Sequence, residues 1–145
     1  MNIKSITITA IAVIISAHVF AQKDVIRLVI NGKKIGEVAI TETPAVISVN
    51  KMKYKKISNL TLIIKQSSVN NAYKRTLQIT DENENQLYEV DELRSKVGLY
   101  KINLTKIRQQ LLKQDIIKVF LAENPANDMM KLPSRRKLLV ELHFR

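Results

Sequence analysis

Apolar and polar residues alternate with a period of two along most of this chain, the spacing of strands that bury one face. Residues 24–31 (DVIRLVIN) set Ile26, Leu28 and Ile30 against Val25, Arg27 and Val29. Asn31-Gly32 follows at once. Both residues tolerate positive φ, so the pair predicts a type I′ turn into a second arm over residues 34–40. Thr43-Pro44 interrupts the pattern, and Ala45, Ile47 and Val49 resume it in a third strand. In residues 59–65, Leu60, Leu62 and Ile64 share a face with Ile63 behind them, which predicts a strand in the middle of a sheet. Residues 72–80 put Tyr73, Leu77 and Ile79 on one side and Lys74, Thr76, Gln78 and Thr80 on the other, with Arg75 intruding on the apolar side.

The polar turn 81–85 (DENEN) separates this strand from a short one over 87–90, and the charged stretch 91–96 leads to Tyr100, Ile102 and Leu104 on one face of 98–104. Leu104, Ile107, Leu111 and Leu112 then recur at helical steps, predicting a helix of two to three turns over 105–113. Residues 115–123 and 137–144 are the last two strands, the second carrying Leu138, Val140, Leu142 and Phe144 as one apolar face. The intervening loop, 124–136, is long for a hairpin. These strands are therefore expected to cross between sheets, or the loop to serve a purpose of its own. Eight or nine short strands, one short helix and no repeat predict an all-β fold, a two-sheet antiparallel sandwich of immunoglobulin-like or jelly-roll type. A closed barrel is the alternative.

The first 21 residues break from this pattern. Lys4 precedes the uncharged run 6–15 (ITITAIAVII), and Val19-Phe20-Ala21 places a small residue before Gln22, the three zones of a cleavable export signal. As a membrane anchor the uncharged stretch 5–21 is at the lower limit of length and is diluted by Ser5, Thr7, Thr9, Ser16 and His18. The expected organisation is a signal peptide, 1–21, and one sandwich domain, 22–145, placed in the periplasm or outside the cell. The leader holds one lysine and no acid, so its removal leaves 124 residues and lowers the formal charge from +11 to +10. A domain of that size needs no cross-links. With no cysteine the chain carries neither thiol chemistry nor a lipid anchor.

Catalysis finds little to work with. Once His18 leaves, His143 is the remaining histidine; it sits opposite the apolar face of the last strand, and no Gly-x-Ser-x-Gly elbow accompanies it. Glu82 and Glu84 lie in a hydrophilic turn that gives their pKa values no reason to move. No catalytic residue, metal ligand or cofactor is assigned, and the expected function is non-enzymatic. One calcium-loop pattern can be counted out, with Asp81, Asn83, Asn85, Leu87, Glu89 and Glu92 at the ligand positions, but Gln86 stands where glycine is required and the flanks read as strands. A calcium-dependent binding module, or an accessory subunit of an envelope complex, is the alternative function.

Charge points to a surface. In residues 51–56 (KMKYKK), Lys51, Lys53 and Lys55 alternate with Met52 and Tyr54, so an extended segment would put its ammonium groups on one side. Lys51, Lys53, Tyr54, Lys55 and Lys56 form the candidate site for a protein partner or an anionic envelope component. Lys33 and Lys34 join it, and Arg135, Arg136 and Lys137 also, if the fold brings them near. The export signal argues against nucleic acid, and no aromatic platform accompanies the lysines. Peripheral membrane contact fits the same charge.

Overall fold

The computed structural model describes residues 24–145 apart from 42, 55, 68–69, 92, 94–97 and 130. The expected leader, Lys55 of the basic run and Glu92 of the calcium pattern lie outside the described residues. The strands are β1 (Val25–Ile30), β2 (Lys33–Ala39), β3 (Ala45–Val49), β4 (Leu60–Lys65), β5 (Tyr73–Asp81), β6 (Gln86–Val90), β7 (Leu99–Asn103), β8 (Ile116–Pro125) and β9 (Arg135–Phe144). A 3₁₀ turn, Thr105–Ile107, runs into the short helix α1, Arg108–Leu112. One sheet has the order β2-β1-β4-β7 and the other β3-β9-β8-β5-β6. The molecule is mostly β, with two sheets and one short helix, an arrangement consistent with a β-sandwich.

Alternation puts one face of each sheet on a shared core. Ile26, Leu28, Ile30, Leu60, Leu62, Ile64 and Ile102 come from the first sheet, and Ile47, Val49, Leu77, Ile79, Ile117, Val119, Val140, Leu142 and Phe144 from the second. Asn31 (φ 50°) and Gly32 (φ 78°) both adopt the left-handed conformation that the turn between β1 and β2 requires. β4 lies between β1 and β7, a central strand as expected. Leu104 and Leu111, both fully buried, let α1 and the turn before it close one end of the core. In β2, Ile35 is an extra residue between the pairs Leu28↔Gly36 and Val29↔Lys34. Such a bulge bends its strand. Gly36 then lies so close to β3 that an added Cβ would stand 2.7 Å from the Ile47 side chain.

Three expectations are corrected. The sandwich is not wholly antiparallel, because β3 runs parallel to β9, from Ala45↔Val140 to Val49↔Phe144. The chain leaves β2 in one sheet, breaks at Thr43-Pro44 and reaches the edge of the other sheet in the direction of β9. Next, β8 and β9 do not cross between sheets. They pair antiparallel as far as Glu123↔Arg135, since both strands continue into the polar residues read as loop. Last, the apolar face of β9 is not continuous: Leu139 is an extra residue between Val119↔Val140 and Phe120↔Leu138. It is Leu139 that is buried, while Leu138 is only half-buried and pairs with Phe120.

Arg75 does stand on the apolar side, as its position in the alternation requires, and it is 5% exposed. Its Nε donates to Glu123 Oε1 at 3.1 Å and one terminal nitrogen donates to the Tyr100 hydroxyl at 3.0 Å. A buried guanidinium is tolerated because these partners replace part of its water.

Candidate anion-binding surface

Residues 51–54 form a turn, not an extended strand, so the lysines of the basic run do not share one face by alternation. The cause is Asn50. Its side-chain Oδ1 accepts from the Lys53 amide at 3.1 Å, and its carbonyl accepts from the Tyr54 amide at 3.3 Å. Asparagine competes with strand ladders in this way. The turn is tied down at its start by the Lys51 amide, which donates to the Arg145 carbonyl at 2.6 Å, and by the Arg145 amide, which donates to the Val49 carbonyl at 2.9 Å. Tyr54 is half-buried and packs against the core.

The lysines therefore have different surroundings. Lys51 Nζ pairs with Asp115 Oδ1 at 2.8 Å. The hydrogen bond from Lys51, helped by its charge, holds the Asp115 carboxyl below its ordinary value, so this acid stays ionised and paired through the neutral range. Lys53 is exposed, with Nζ 5.8 Å from the centre of the Tyr54 ring. Lys56 is exposed, and its carbonyl accepts from Asn31 Nδ2 at 3.0 Å.

Asn31 explains how separate basic segments come together. Besides making the turn, its Oδ1 accepts from the Ser58 amide, the Ser58 hydroxyl and the Asn59 amide, at 2.9 to 3.1 Å. The β1–β2 turn, carrying Lys33 and Lys34, is thereby fastened to the loop carrying Lys53 and Lys56. Thr105 Oγ1 accepts from the Leu60 amide at 3.0 Å and so brings in the segment with Lys106. Lys113 follows α1, two residues before Asp115, and Arg145 lies against Lys51 through the backbone. These segments contribute one acid, Asp115, while Lys34 also lies 3.9 Å from Glu37 in β2, and the β5–β6 turn with Asp81, Glu82 and Glu84 leaves the second sheet at the same end.

Sequence reasoning anticipated Lys33 and Lys34 here but missed Lys106, Lys113 and Arg145, which are unremarkable until the fold gathers them. Arg135, Arg136 and Lys137 do not join. They begin β9, whereas the Lys51 turn adjoins its end, and ten strand residues span about 30 Å. Arg136 instead stacks on Phe120, 3.6 Å from the ring centre, and donates to Gln78 and Glu84.

Asp81 Oδ1 accepts from the Asn85 amide at 2.9 Å and Oδ2 from Asn85 Nδ2 at 2.8 Å, which closes the β5–β6 turn on itself. Glu84 is occupied by Arg136 and Lys118. His143 Nε2 lies 2.9 Å from Glu141 Oε2, beside Ser48 in the strand register. A cleft of about 370 Å³ opens where the edge strands β6 and β7 face each other, lined mainly by Tyr88, Val90, Leu93, Tyr100 and Ile102, with Lys101 and Asn103 as polar members. No family model, curated protein or solved structure matches this chain.

Proposed function

We propose that this is an exported, non-enzymatic β-sandwich protein that binds an anionic component of the cell envelope through the basic end of the sandwich. The observation that carries the reading is that hydrogen bonds among three loops, with the Lys51–Asp115 ion pair, bring the segments carrying Lys33, Lys53, Lys56, Lys106 and Lys113 to one end of the sandwich. Like charges held together repel, so a fold that gathers them gives up some stability and gains a field that attracts anions. The immunoglobulin-like form is favoured over the jelly roll: β9-β8-β5-β6 has the neighbour order of the G, F, C and C′ strands of such domains, and β4 lies beside β7 as B lies beside E. β1, inserted between β2 and β4, departs from that pattern.

Replacing Lys33, Lys53, Lys56 and Lys113 with Gln is expected to weaken binding to anionic vesicles or acidic glycans by roughly a hundredfold or more at low salt, at about 1 kcal/mol per lysine near the surface. The control replaces Lys65, Lys74, Lys131 and Lys137, at the opposite end, and has the same net charge. Equal losses in the two variants would show that net charge, and not this end, drives binding. Export predicts that the protein isolated from its host starts at Gln22; an intact mass that includes residues 6–15 would refute it.

A further inference from the structure

We propose that the turn at residues 50–54 is a membrane wedge, with Met52 entering the interfacial region of an anionic bilayer while the surrounding lysines meet the headgroups. This rests on the anion-binding reading of the same surface and names its ligand as a lipid surface. Met52 is 71% exposed and stands at the apex of the turn, between Lys51 and Lys53. An exposed methionine alone is unremarkable on a protein surface. Here it is joined to a cationic rim and to a backbone that cannot retract it: Lys51, Lys53 and Tyr54 all donate amide hydrogen bonds within the turn or to Arg145. A side chain held out in advance loses little backbone freedom on insertion. Tyr54, half-buried and packed against the core, anchors the turn from beneath.

Soluble polyanions would use the lysines and ignore Met52, whereas a bilayer would use both. Met129 supplies the comparison. It is 87% exposed, but it lies in the β8–β9 loop at the far end of the molecule, beside Asp128.

The full chain carrying Met52→Trp would be mixed with vesicles containing about one-third anionic phospholipid, with zwitterionic vesicles and with dextran sulfate. The expected result is a blue-shifted tryptophan emission, quenched by brominated lipid, on the anionic vesicles only. Met52→Gln is expected to weaken vesicle binding about tenfold, the size of removing most of one methionine side chain from water, while leaving dextran sulfate binding unchanged. Met129→Gln should change neither. Vesicle binding with unshifted emission and undiminished affinity in Met52→Gln would overturn the wedge and leave the anion-binding surface standing. Failure to bind vesicles and dextran sulfate alike would overturn both.

Discussion

Phe144→Ala is expected to lower the unfolding free energy by about 3–5 kcal/mol in urea denaturation, at an unchanged denaturant slope. The ring is 2% exposed and stands at the end of β9, among the core residues Val49 and Leu142. Part of such a loss is the transfer of the ring to water, and the rest is the cavity left behind. The cavity has little chance to close, because the Phe144 amide donates to the Asp115 carbonyl at 2.8 Å and the next residue is bonded to Val49. Against a typical total of about 5–15 kcal/mol, that is a large fraction of the stability. A loss under about 1.5 kcal/mol would mean that this end of β9 is outside the core.

Glu123→Ala should cost about 2–4 kcal/mol, far more than an exposed ion pair contributes. The reason is what remains: the buried guanidinium of Arg75, 5% exposed, would have the Tyr100 hydroxyl as its one side-chain partner among the described residues. The Glu123 side chain is 22% exposed, so water reaches the site in part, and the lower half of that range applies. Arg75→Met combined with Glu123→Leu should recover most of the loss, since apolar side chains of similar volume remove the stranded charge and the pair's desolvation together. Thermal and urea unfolding of both singles and the double would measure the coupling. If Glu123→Ala cost under about 0.5 kcal/mol, the guanidinium would have to be solvated from another side.

The strands were legible because alternation is the direct trace of burying one face of a sheet, and every expected strand is present. Asn31-Gly32 was legible for a second reason, the φ values that the turn demands. The partner of β3 left no local trace, since an edge strand alternates in the same way beside a parallel or an antiparallel neighbour. The lengths of β8 and β9 were hidden by residues with poor strand propensity, Asn124, Pro125 and Arg135 to Lys137, which are carried into the ladder by the strands they extend. Leu139 was hidden because a bulge shifts the alternation by one residue without changing its composition. The basic run misled in shape: its own spacing is that of a strand, and the signal against it was one residue earlier, in Asn50, a turn-forming side chain. Of the gathered surface, the run itself with Lys33 and Lys34 could be read, and Lys106, Lys113 and Arg145 could not. Asn31, whose side chain binds Lys56, Ser58 and Asn59 of the neighbouring loop, gives no sign in sequence beyond its turn.

The parallel pairing of β3 with β9 also fixes the order in which the molecule can be completed. Ala45 waits for Val140, and Val49 for Phe144. Contacts so distant along a chain form slowly, because the entropy of closing the loop must be overcome before they stabilise anything. β1, β2 and β4 can pair soon after synthesis, but β9 follows β3 from the ribosome by on the order of ten seconds. Throughout that interval Ile47 and Val49 have no ladder partner. The Lys51 turn, held by the Arg145 backbone, takes its shape in the same closing step. A nascent chain would thus pass through most of its synthesis with the second sheet open at this edge and its basic end unformed.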